Sequence, residues 1–86
     1  MGADALAQIK EWLSDEVENR SLYIATLKDG AGDATMLADK EAALKIFTDA
    51  LAASNKSAAD LEAYLAGQAG NARSAGISKM WQGLKA

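Results

Sequence analysis

Between residues 4 and 28 the large apolar side chains Leu6, Ile9, Leu13, Val17, Ile24 and Leu27 recur at helical intervals, while Glu11, Asp15 and Glu18 fall on the opposite side. A repeat near ~100° per residue predicts an amphipathic α-helix with one stripe turned to a core. Asp4 stands where an N-cap carboxylate would accept from the first backbone amides. At ~1.5 Å per residue such a helix runs roughly 40 Å, longer than a small domain covers from end to end. Leu22 falls on the acidic side if the helix runs straight through, so Asn19, Arg20 and Ser21 form a candidate break, with Ser21 recapping a second piece.

Lys28-Asp29-Gly30-Ala31-Gly32-Asp33 is the clearest turn, with Gly30 suited to a left-handed C-cap and Asp33 to the next N-cap. A second helix over about 34 to 53 places Met36, Leu37, Ala43, Leu44, Phe47, Ala50 and Leu51 on one broad face. Glu41 and Lys45 are an i,i+4 pair in the favourable direction on it. Ser54-Asn55-Lys56 reads as the next turn, and Ser57 with Asp60 as a capping box. A third helix carries Leu61, Tyr64 and Leu65 and ends in Ala66-Gly67-Gln68-Ala69-Gly70. The last segment restores an apolar stripe at Ile77, Met80, Trp81 and Leu84, with Lys79 turned away. No segment reads as a strand. The fold class expected is therefore all-α: one domain over 1–86, a small antiparallel bundle of four helices, or five if the first divides near Ser21.

Composition narrows the chemistry more than the fold. Of 86 residues 20 are alanine, and none is histidine, cysteine or proline. The usual metal ligands, the usual general base at neutral pH and the strongest nucleophile are thus missing. Beyond alanine only 23 apolar side chains remain, so the core is thin and association becomes a reasonable source of stability. A net charge of -3 and a pI near 4.7 disfavour attraction of the whole molecule to nucleic acid or anionic membrane. The charge is uneven: residues 1–60 carry 11 acidic and 6 basic groups, whereas 61–86 set Glu62 against Arg73, Lys79 and Lys85. Met1 to Gln8 lacks the basic start and apolar run of a signal peptide, and no segment has the ~18 apolar residues of a membrane span, so a cytoplasmic location is expected.

The motifs that could carry chemistry have structural explanations. Gly30 to Thr35 precedes a helix, but Thr35 stands where a dinucleotide loop needs its third glycine, and Asp33 would repel phosphate. As a calcium loop it places Ala31 at a ligand position and Lys40 where the bidentate glutamate belongs. Asp15, Glu16 and Glu18 are close in sequence, yet Glu16 can pair with Arg20 and the other two belong to a solvated face. No catalytic residue, cofactor, metal or small-molecule ligand is expected, and an enzyme is the least favoured class.

Trp12 and Trp81 carry more information, since tryptophan is costly to expose and a frequent anchor of binding energy. The function expected is a non-enzymatic protein-interaction module, an adaptor, inhibitor or accessory subunit, that associates with itself or a protein partner. Its expected contact surface is Trp12, Tyr23, Tyr64, Met80 and Trp81, helped by Ala69, Ala72, Ala75 and Gly76, which permit close helix approach. An alternative comes from the run 66–85. Ala66 with Gly70, followed by Ile77, Ser78, Trp81 and Gly83, resembles the repressor type of helix-turn-helix. That resemblance implies a DNA-binding regulator with Arg73, Ser74, Ser78 and Lys79 facing a major groove.

Overall fold

The computed structural model describes residues 2–30 and 33–86. Four helices follow in order, α1 (Gly2–Asp29), α2 (Ala34–Lys56), α3 (Ala58–Gly67) and α4 (Ala72–Lys85), and they form the expected four-helix bundle. Each packs antiparallel to the next. Lys28 meets Glu41 beside the α1–α2 connection, the Tyr64 hydroxyl reaches toward the Ile46 carbonyl, and Trp81 and Lys85 both reach Glu62.

The first helix does not divide. It runs 28 residues without interruption, and the side chains around the expected break explain why. Arg20 pairs with Glu16 at 3.2 Å and lays its guanidinium 3.9 Å from the centre of the Phe47 ring. Ile24, one turn on, is buried. Ser21 donates back to the Val17 carbonyl at 2.7 Å, which is how a mid-helix serine satisfies its hydroxyl without capping anything. Continuity leaves Leu22 on the polar side, where it is 62% exposed.

Helix ends depart from expectation in three places. α1 begins at Gly2, so Asp4 is not its N-cap but an acidic group in its first turn, near the positive end of the helix dipole. Gly30 extends the α1 ladder by donating to the Thr26 carbonyl at 3.0 Å and does not take a left-handed conformation; among the described glycines that role falls to Gly70, at φ 86°. Ser54, Asn55 and Lys56 remain helical, and the α2–α3 corner narrows to Ser57 alone. The reason is Ser54, which is buried and returns its hydroxyl to the Leu51 carbonyl at 2.7 Å. Ser57 then serves both helices. Its amide donates to the Ala53 carbonyl, and its hydroxyl accepts from the Asp60 amide at 3.0 Å.

Asp33 caps α2 as expected, accepting from the Thr35 amide at 2.8 Å, and Asn71 caps α4 through the Arg73 amide at 2.9 Å. The core is Ala5, Ile9 and Leu13 of α1, Phe47 and Ala50 of α2, Leu61 and Leu65 of α3, and Ile77 and Trp81 of α4. Leu6, Trp12, Val17, Ile46, Leu51 and Leu84 close around it. This core occupies one end of the molecule. Along α1 it reaches Val17 and along α2 it starts at Ile46, so the far half of the α1–α2 pair lies outside it.

Candidate functional site

The five side chains expected to form a contact surface are not brought together on one. Trp81 is 1% exposed, so its role as a contact residue is corrected to that of a core residue. Its indole Nε1 donates to Glu62 at 3.2 Å, and the Lys85 ammonium, 2.8 Å from the same carboxylate oxygen, lies 5.6 Å from the ring centre. Trp12 is half-buried against Phe47, with ring centroids 5.9 Å apart and planes at 50°. Tyr64 is half-buried between α2 and α3. Burial, reinforced by the Asp49 carboxylate, raises its phenol above the ordinary tyrosine range. Met80 packs on the edge of the core and lines a shallow apolar groove with Gly76, Lys79, Gly83 and Leu84. Of the five, Tyr23 is the one that stands clear, at 44% exposure.

The four residues of the helix-turn-helix reading are likewise divided. α3, the turn 68–71 and α4 do form a helix, a turn and a helix. Ser74, however, is buried and donates to the Gln68 and Asn71 carbonyls, and Arg73 reaches across to Asp39 at 2.6 Å. Ser78 is half-buried beside Glu62 and Ala66, which leaves Lys79 alone of the four as an exposed cation with no ion pair among the described residues. Ser74 is therefore corrected from a groove-facing group to an internal one, because the α4 N-terminus folds its hydroxyl under the turn.

The least covered part of the bundle is the far half of the α1–α2 pair. From Glu18 to Lys45, Ile24 is the one fully buried side chain among the described residues. Leu22, Tyr23 and Met36 are the large apolar groups left exposed, and all three are in this half. A groove of about 540 Å³ runs between the helices, lined by Ser21, Ile24, Ala25 and Lys28 from α1 and by Glu41, Leu44, Lys45, Thr48 and Asp49 from α2. A second hollow, of about 260 Å³, is lined by Glu16, Asn19, Arg20, Tyr23, Ile24 and Lys40. Leu22 is out of phase on the polar face of α1 without marking a break, since the helix is uninterrupted there, and its side chain stands exposed.

The carboxylates of α1 stay apart in role. Glu16 is engaged by Arg20, Asp15 and Glu18 are exposed, and no group of three or more acidic side chains among the described residues could hold a metal ion. No described helix is long and apolar enough to cross a membrane. No protein-family model matches the chain, and neither a curated protein nor a solved structure matches it.

Proposed function

We propose that this chain is a non-enzymatic protein-interaction module of the cytoplasm that associates with itself through the far half of its α1–α2 pair. The observation that carries the reading is that the three exposed large apolar side chains among the described residues, Leu22, Tyr23 and Met36, all lie in the half of the α1–α2 pair that the core does not reach. Fully burying a large apolar side chain is worth about 1.5–3 kcal/mol, so three that remain 42–62% exposed forfeit part of that stabilisation in the isolated chain. Lone exposed apolar residues are ordinary; several on one poorly covered pair of helices mark a contact surface. The non-enzymatic part rests on composition, since a chain without histidine or cysteine has few groups that exchange protons or attack carbon near neutral pH.

Sedimentation velocity over a concentration series from low micromolar to millimolar tests it. The expected result is a mass that rises from one chain to two, with Leu22→Glu shifting the midpoint to higher concentration. A chain that stays monomeric at millimolar concentration ends the self-association reading.

A further inference from the structure

The α1–α2 groove has three properties that together specify an occupant. Its floor is made of small or self-satisfied side chains. Ala25 is exposed, and the Ser21 and Thr48 hydroxyls donate to carbonyls of their own helices, Val17 at 2.7 Å and Leu44 at 2.9 Å. Hydroxyls spent in this way present carbon to the groove and need no partner from an incoming surface. Ile24 and Leu44 add the apolar base, so another helix could approach closely.

The rim is charged and balanced, with Lys28 and Lys45 against Glu41 and Asp49. Lys28 and Glu41 face each other across the groove at 3.5 Å from opposite helices, and each keeps about half of its side-chain surface in water. Lys45 and Asp49 pair along α2 at 3.0 Å. A strongly acidic or basic partner would meet like charge at one side of this rim. A second copy turned by a two-fold axis along the helices would not, because Lys28 of α1 and Glu41 of α2 lie level across the groove and the rotation sets each over the other.

We propose that this groove is the self-association face and that its occupant is the same groove of a second copy, related by a two-fold axis running along the helices. The axis sets α1 of one protomer over α2 of the other. Lys28 then comes over the partner's Glu41 and Glu41 over the partner's Lys28, while the two small-residue floors meet. Leu22 follows Ala25 around the α1 surface by about 60° at ~100° per residue, so it stands at the shoulder where the partner's α2 would lie. The inference rests on the self-association reading and adds the face and its symmetry; of the exposed apolar side chains it uses Leu22, whereas Tyr23 lines the second hollow.

Two double variants test it, Lys28→Glu with Lys45→Glu and Glu41→Lys with Asp49→Lys, each giving the rim one sign. Each variant alone is expected to sediment as a monomer under conditions where the wild type is dimeric, and an equimolar mixture is expected to regain the two-chain mass. Far-ultraviolet circular dichroism confirms that both remain helical. Ala25→Arg serves as a second route, since it fills the groove from an exposed position without removing a core side chain, and it too is expected to abolish the dimer. Variants that dimerise alone, a mixture of folded variants that stays monomeric, or an Ala25→Arg protein that still dimerises would each overturn this face while leaving self-association intact. A monomeric wild type removes both.

Discussion

Trp81 is the side chain on which the near end of the bundle is built, and its environment shows how one carboxylate can hold two elements. The indole fills the centre of the core, and its only polar atom is satisfied by Glu62, which also receives the Lys85 ammonium. Replacing it with alanine removes a large fully buried ring, so the expected cost is about 3–5 kcal/mol. For a small domain near the low end of the usual ~5–15 kcal/mol, that removes most of the stability. Trp81→Phe keeps most of the volume but loses the Glu62 bond, and urea denaturation should rank it between alanine and wild type. Glu62 itself gives a pH prediction. The hydrogen bond from Lys85, then that from Trp81, then the Lys85 charge hold its carboxyl below its ordinary value of 4.5. A carboxyl whose folded pKa is depressed stabilises the fold above its unfolded pKa and loses that contribution as pH falls through the folded pKa. The melting temperature should therefore drop as pH is lowered below about 4.5, and Glu62→Gln should make that acid limb shallower while lowering stability at neutral pH. An acid limb identical in the two proteins would show that Glu62 does not contribute to it.

At the scale of elements, periodicity located all four helices, and the errors fall at ends, where local capping competes with tertiary packing. Asp33 was readable because a carboxylate before an apolar repeat has one common use there, accepting the amide two residues on. The extension of α2 through Ser54 was not readable, because serine in water favours a turn and only burial against the Leu51 carbonyl makes it a helix residue. The continuity of α1 was hidden for a similar reason. Arg20 stacks on Phe47, 27 positions away, and no spacing rule anticipates a contact between a cation and a ring on another helix. Glu41 was expected to pair with Lys45, yet it pairs with Lys28 while Lys45 turns to Asp49, since a neighbouring helix offered a closer partner. The candidate contact surface was the least legible part: the aromatic residues are conspicuous in sequence, but whether an aromatic fills a core or faces water is decided by the other three helices. The two corners after α2 and α3 can be tested directly. Ser57→Ala removes the hydroxyl that receives the Asp60 amide and should cost about 1 kcal/mol. Gly70→Ala forces a Cβ into the left-handed region at φ 86° and should cost about 1–2 kcal/mol, although no neighbouring atom lies within 4 Å of that Cβ. Thermal melts of the two variants separate them from Gly83→Ala, which meets nothing within 4 Å at an ordinary helical position and should raise stability by a few tenths of a kcal/mol to about 1.

The whole molecule is longer than its mass requires, and this shape ties the packing to the proposed association. Its radius of gyration is 13.7 Å with extents of 45 × 24 × 20 Å, against about 12 Å for a compact chain of this length. Its accessible surface, 5242 Å², likewise exceeds the roughly 4,900 Å² expected of a monomer of 9.0 kDa. The excess is explained by α1, which at ~1.5 Å per residue spans about 42 Å, nearly the full long axis, while the shared core supports only the half up to Val17. Stability should therefore be graded along a single helix. Amides between Leu6 and Val17 can exchange only when the common core opens, whereas those from Leu22 to Lys28 are held by one buried side chain, Ile24, and by the water-exposed Lys28–Glu41 ion pair. Local opening of the far half thus costs much less than global unfolding, and hydrogen exchange should report it as a step in protection near Val17. The same experiment run at rising protein concentration carries a second expectation. If a second copy covers the α1–α2 groove, exchange between Ser21 and Lys28 and between Glu41 and Asp49 should slow with concentration, while exchange near Ile9 and Leu13 should remain governed by the core. Uniform protection along α1 would contradict the graded core, and a gradient that does not respond to concentration would separate the shape of the monomer from any role of that shape in association.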